Sequence, residues 1–98
     1  MKIALLSRSP DCYSSRRIVE AGESVGHEMV VLDYLRCRMD IAAGDPAVFY
    51  MGERVKVNAV IPRIAASYTF YGAAVVRQFE MGGVLTANSA IGISQSRD

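Results

Sequence analysis

Ninety-eight residues, with 11 Lys and Arg against 10 Asp and Glu, make one domain at most and leave a net charge of only +1. That balance gives no clustered basic footprint for nucleic acid, and 51% hydrophobic with 21% charged residues is the composition of an ordinary soluble globular chain. The size allows one modest core and is short for a self-contained enzyme with two substrate sites.

The N-terminal MKIALLSRSPD holds a brief apolar run, Ile3 to Leu6, too short for the hydrophobic region of an export signal or for a membrane span. Lys2 to Ser7 therefore reads as a strand covered on both faces of a parallel sheet. A polar loop, Arg8 to Cys12, leads to a helix predicted from Tyr13 or Ser14 to Val25. Its apolar stripe is Ile18, Ala21, Gly22 and Val25, and Gly26 is placed to stop it. His27 to Asp33 is the second strand. Tyr34 to Pro46 reads as irregular, with Gly44, Asp45 and Pro46 as turn residues.

Val48 to Met51 and Arg54 to Val57 flank Gly52-Glu53, which predicts a type II′ hairpin. Asn58 to Pro62 is the third core strand, and Thr69 to Met81 a second helix ended by Gly82-Gly83. Val84 to Thr86 is a short fourth strand, and Asn88-Ser89 resembles a helix cap before Ala90 to Arg97. The succession predicts an α/β fold: a small, open, three-layer, Rossmann-like domain with a mostly parallel sheet of core strands plus a hairpin. Because the chain stops at Asp98 within what looks like a helix, it is expected to be a piece of something longer.

Open α/β sheets bind ligands beyond the carboxyl ends of their strands. That rule selects Ser7 to Ser15, Asp33, Arg63 to Thr69, and then Asn88 and Ser89. The first loop, SRSPDCYSS, has none of the glycines that a dinucleotide pyrophosphate needs, so Asp33 alone is a weak ribose signal and reads as an exposed strand-end acid. His27 has no partner at ligand or triad spacing, and the loop serines have neither elbow glycines nor an evident base. Cys12 and Cys37 form no CxxC, which leaves no encoded redox or zinc motif and suits a reducing cytosol.

Arg63 is the best single candidate. Pro62 is read as ending the strand, Ala65, Ala66 and Ser67 leave space, and Ser67 or Thr69 would cap the following helix, whose N-terminus favours an anion. An arginine there fits a carboxylate or phosphate; equally, it fits a structural pair with a nearby acid. Tyr68, Phe70 and Tyr71 read as packing residues under the helix rather than as a platform for bases.

MKIALLSR, Tyr13-Ser14, GHEMVVLD, VIPRI with TFYG and RQFEMGG, and AN-S-A-I with the final Ser-Arg-Asp together resemble the RimK family of ATP-grasp ligases, in their N-terminal, pre-ATP-grasp domain. The resemblance covers almost the whole chain. It implies a parent enzyme that adds glutamate to the C-terminus of a small-subunit ribosomal protein through an acylphosphate. It also implies that residues 1–98 are the pre-ATP-grasp domain, with the ATP-grasp domain after residue 98, where the family continues directly with a lysine.

ATP and Mg2+ (or Mn2+) would be bound by that missing domain, leaving the isolated domain inactive. Arg63 and Arg8 would face the substrate cleft, with Ser67, Thr69, Asn88 and Ser89 as further cleft candidates; for Asn88 and Ser89 a helix cap is the competing role. The implied partners are the ATP-grasp domain, the ribosomal protein and glutamate, in the cytoplasm, with no nucleic acid and no membrane; a homo-oligomer stays open. The segments Ser9 to Cys12 and Ile41 to Ala47 look individual to this chain; if substrate choice depends on them, the glutamate specificity of the family does not carry over, since related ligases act on other carboxylates and amines. A standalone α/β binding module and a dinucleotide-binding domain are the competing readings.

Overall fold

The computed structural model describes residues 1–8, 11–40, 46–64 and 68–87. In chain order these form β1 (Lys2–Ser7), α1 (Tyr13–Ser24), β2 (Glu28–Leu32), a 3-10 turn (Tyr34–Arg36), β3 (Cys37–Asp40), β4 (Ala47–Tyr50), β5 (Glu53–Arg54), β6 (Ala59–Arg63), α2 (Thr69–Met81) and β7 (Leu85–Thr86). The proposed helix from Ala90 to Arg97 and the Asn88-Ser89 cap lie outside the described residues.

β1 is central to a four-stranded sheet in the order β2-β1-β6-β7, parallel throughout. Its continuous apolar run is explained by burial on both faces: Ala4, Leu5 and Leu6 are each 0% exposed. Strand side chains alternate, so Ala4 and Leu6 enter the main core with Val60, Val75, Val76 and Phe79, while Ile3, Leu5 and Ser7 turn toward α1. The expected α/β class, with helices on both faces of a parallel sheet, is the observed one.

α1 buries a different stripe from the predicted one. Ser15 is its one fully buried residue; Ile18, Val19 and Gly22 are half-buried, while Ala21 is exposed and Val25 lies past the helix at its C-cap. The reason is close approach: a Cβ on Gly22 would run into the Met29 side chain of β2. Gly72 plays the same part in α2, where a Cβ would strike Ile64.

Three strand readings also change. The stretch read as irregular after Asp33 contains β3, whose charged residues masked its alternation: Cys37 is buried, and exposed Arg38 lies 4.9 Å over the Phe49 ring. β3 pairs with the expected hairpin, so that β3, β4 and β5 make an antiparallel sheet beside the parallel one. The hairpin turns at Met51-Gly52, one residue earlier than predicted, because Tyr50 pairs with Glu53. With φ of 52° at Met51 and 85° at Gly52, the turn has the type I′ pattern that matches strand twist, rather than type II′.

Pro62 does not end its strand. β6 continues to Arg63, with Leu6 opposite Pro62 and Ser7 opposite Arg63. The Asn58 and Val60 carbonyls accept from Leu85 and Ala87 on the β7 side. By the same alternation the missing N–H of Pro62 falls on that side, beyond the end of β7, where no ladder bond is lost.

The second sheet is fastened to α2 by two side chains seven residues apart, two turns along one helix face. Tyr71 Oη donates to the Cys37 carbonyl at 2.6 Å, and Gln78 Nε2 donates to the carbonyls of Asp40 and Ala47 at 2.9 and 3.2 Å. Asp40 and Ala47 are the last ladder pair of β3 and β4, so Gln78, only 4% exposed, closes the hairpin base from beneath. Gln78→Leu keeps the bulk and removes both bonds. It should destabilise the chain by about 1–3 kcal/mol, read from urea denaturation, because buried carbonyls lose their donor.

Candidate functional site

A parallel sheet delivers its strand ends to one edge. Ser7 and Arg63 leave β1 and β6 in register, Leu32 ends β2 opposite Leu6, and Arg8 and Asp33 follow immediately. That edge carries the candidate site.

Arg63 is exposed and donates from Nη2 to Ser14 Oγ at 3.1 Å. It therefore leans over the first turn of α1, on the face that Ser7 also uses. The N-cap of α2 is Tyr68, without a side-chain cap bond, and Thr69 is the first helical residue, so Thr69 does not cap it. Ser67, Asn88 and Ser89 lie outside the described residues.

Beneath Arg63 runs a polar seam. Ser7 Oγ and Ser15 Oγ are 3.1 Å apart and buried, and Cys12, the N-cap residue of α1, places Sγ 3.3 Å from Ser15 Oγ and 3.6 Å from Ser14 Oγ. Hydrogen bonding to the Ser15 and then the Ser14 side chain, joined by the backbone of both, lowers the Cys12 pKa to about 7. Cys37 behaves oppositely: burial, with the charge of Asp33 added, pushes its pKa up to about 12.

Arg8 is arranged differently. Its Nε lies 3.3 Å from Asp33 Oδ1, and its guanidinium sits 5.3 Å from the centroid of the Tyr68 ring. Tyr68 in turn meets the fully buried Tyr34 edge-on at 6.5 Å between centroids. Asp33 Oδ2 is 3.8 Å from Arg36 Nε, and Asp33 Oδ1 also accepts from the Leu35 N–H at 3.1 Å. Asp33 is thus not the exposed strand-end acid of the sequence reading. A carboxylate engaged by two arginines and a backbone N–H also speaks against a ribose ligand.

The aromatics read as packing residues are more open than that: Tyr71 is 36% exposed and donates to the Cys37 carbonyl, Phe70 is 86% exposed, and Tyr68 carries Arg8. Sequence reasoning missed the Arg8–Asp33–Arg36 group and the place of Cys12. The i, i+3 spacing of Asp33 and Arg36 was the one local signal for the former.

This architecture is a parallel sheet with a companion hairpin sheet, and Arg63 and Arg8 stand at the carboxyl edge of the parallel one. It is similar to the RimK domain protein ATP-grasp from Sphaerobacter thermophilus, with a TM-score of 0.72 at 22% identity over 95% of this chain and 32% of that one. The ATP-grasp ligase PsnB, solved with a minimal precursor, matches with a TM-score of 0.64 at 20% identity over 90% of this chain and 36% of the other.

The chain belongs to the RimK PreATP-grasp domain family, which matches residues 1–93. Along its whole length it is 60% identical to a probable alpha-L-glutamate ligase of Trichodesmium erythraeum and 59% identical to one of Marinomonas. It spans 33% of the length of each of these relatives.

The two thiols give a direct test of the site's electrostatics. Iodoacetamide should alkylate Cys12 with a rate that is half-maximal near its pKa of about 7, since the thiolate is the nucleophile. Buried Cys37, raised to about 12, should stay unmodified until the chain is unfolded. Mass spectrometry across a pH series reads both sites; equal labelling in the native chain would contradict this placement.

Proposed function

We propose that this chain is the N-terminal domain of a RimK-type, ATP-dependent carboxylate–amine ligase and forms one wall of its substrate cleft. The observation that carries the reading is 60% identity, over the entire chain, to a protein named a probable alpha-L-glutamate ligase. The parent would add glutamate to the C-terminus of a small-subunit ribosomal protein, an acceptor that rests on the RimK resemblance. The ATP-grasp domain would follow residue 98.

ATP with Mg2+ (or Mn2+), held by that domain, supplies the phosphoryl group that activates the carboxylate before the amine attacks. Arg63 and Arg8 stand at the strand edge with charge that complements a carboxylate or an acylphosphate. Positioning and charge stabilisation are what such a reaction asks of a cleft wall. In an exposed hydrogen bond Arg63 donates to Ser14 Oγ, a neutral acceptor that a substrate anion would outcompete. Two free thiols fit the cytoplasm, and no described helix is long and apolar enough to cross a membrane.

In the full-length ligase, Arg63→Ala should lower kcat/KM for the carboxylate substrate by ~2–4 kcal/mol of transition-state stabilisation, with the KM for ATP nearly unchanged. Wild-type turnover would make Arg63 structural, and a lost circular dichroism signal would remove the substrate-binding interpretation. A gene that stops after codon 98 would sink the ligase reading and favour a standalone binding module.

A further inference from the structure

We propose that Asp33 is a positioning residue: it holds Arg8 in the orientation that presents its guanidinium to the substrate anion. The inference rests on the ligase reading, in which Arg8 faces the cleft, and adds a residue whose carboxylate never meets substrate. Three observations carry it. Arg8 is held on two sides, by Asp33 Oδ1 at Nε and by the Tyr68 ring under the guanidinium plane. Asp33 is itself held by the Leu35 N–H on Oδ1, by the turn bond from the Arg36 N–H to its own carbonyl, and by its N–H donating to Tyr50 Oη at 3.4 Å. The Asp33 side chain is 19% exposed and that of Arg8 41%, so the acid is the fixed partner and the arginine the presented one.

The geometry leaves a defined part of Arg8 for a ligand. An arginine engaged through Nε keeps the edge formed by its two Nη groups, and that edge can grip two oxygens of a carboxylate or phosphate. A partly exposed ion pair contributes little to stability, typically ~0–1 kcal/mol, so stability alone does not account for an acid and an aromatic ring converging on one guanidinium. Orientation does. An arginine loses several rotatable bonds on binding an anion, and one already held by Asp33 and Tyr68 loses fewer.

Arg36 makes the charge of Asp33 necessary as well as its shape. It approaches Asp33 Oδ2 at 3.8 Å, so a neutral residue at 33 would leave Arg8 and Arg36 facing one another without compensation. Arg8, directly after β1, would then swing away from its place over Tyr68.

The test is a double-mutant cycle in the full-length ligase with glutamate as the varied substrate, which supplies the attacking amine and carries the carboxylates that Arg8 would hold. Asp33→Asn keeps a side-chain oxygen for the Leu35 N–H, removes the charge and puts an amide NH2 in place of the oxygen that faces Arg36. It should raise the KM for glutamate about 5- to 30-fold, with kcat and the KM for ATP within about twofold of wild type. In an Arg8→Ala background the same change should do nothing further, because its effect passes through Arg8. If Arg8→Ala raises KM while Asp33→Asn does not, or if the two effects simply multiply, the positioning role is overturned and the ligase reading stands. If Arg8→Ala leaves KM at the wild-type value, the cleft assignment of Arg8 fails first. Should the Asn variant not fold, Asp33→Ser, which also preserves the cap on Leu35, carries the same cycle with the same outcomes.

Discussion

β1 lies between β2 and β6 and pairs in parallel with both, and every functional placement in this domain follows from that double pairing. A strand so placed has no solvent face along its middle, which is why Ala4, Leu5 and Leu6 are fully buried and why every residue between Lys2 and Ser7 is apolar. Full burial of a leucine is worth roughly 1.5–3 kcal/mol, so Leu5 and Leu6 also fix the register energetically: a one-residue slip would exchange the side chains facing α1 with those facing the main core. Once β1 is set, Ser7 and Arg63 must emerge side by side, with Arg8 and Asp33 next in line.

The two helices then depend on two glycines. Gly22 lets α1 approach Met29, and Gly72 lets α2 approach Ile64, close enough that a single methyl group would force a shift at either contact. The first contact draws α1 onto the sheet face carrying Ser7, so that Cys12, Ser14 and Ser15 meet Ser7 and Arg63 across the strand end. The second leaves α2 bridging both sheets, with Tyr71 and Gln78 supplying donors to carbonyls of the antiparallel one. The hairpin sheet is therefore held by polar bonds along one helix face as well as by the core residues Cys37 and Val48.

The carboxyl edge divides into two electrostatic neighbourhoods. Around α1 an exposed arginine stands over hydroxyls and a thiol with lowered pKa, a setting that favours negative charge near Cys12. Around the 3-10 turn a carboxylate sits between two arginines, and one of these rests on an aromatic face. Arg63 and Arg8 thus differ in their partners: the first donates to a hydroxyl of α1, the second pairs with a carboxylate.

Local sequence determined the features whose signals are local. The apolar run of β1, the thirteen-residue α2 with its glycine stop, the alternation of strand and helix, and Arg63 and Arg8 at strand ends were all readable, because each depends on periodicity or on a neighbouring residue. The family was readable for the same reason: its motifs lie in contiguous stretches. What only the tertiary structure decided depends on contacts between residues distant in sequence. β3 hid behind its charges until Cys37 was buried against the core, and the hairpin turn moved by one residue because the pairing of Tyr50 with Glu53 governs it. Arg63 turned to α1, forty-nine residues back in the chain, and Asp33 passed from surface acid to the anchor of Arg8. Spacing along a chain encodes which way a side chain leaves its element; which partner it meets there is set by sheet order, and sheet order is a property of the packed whole.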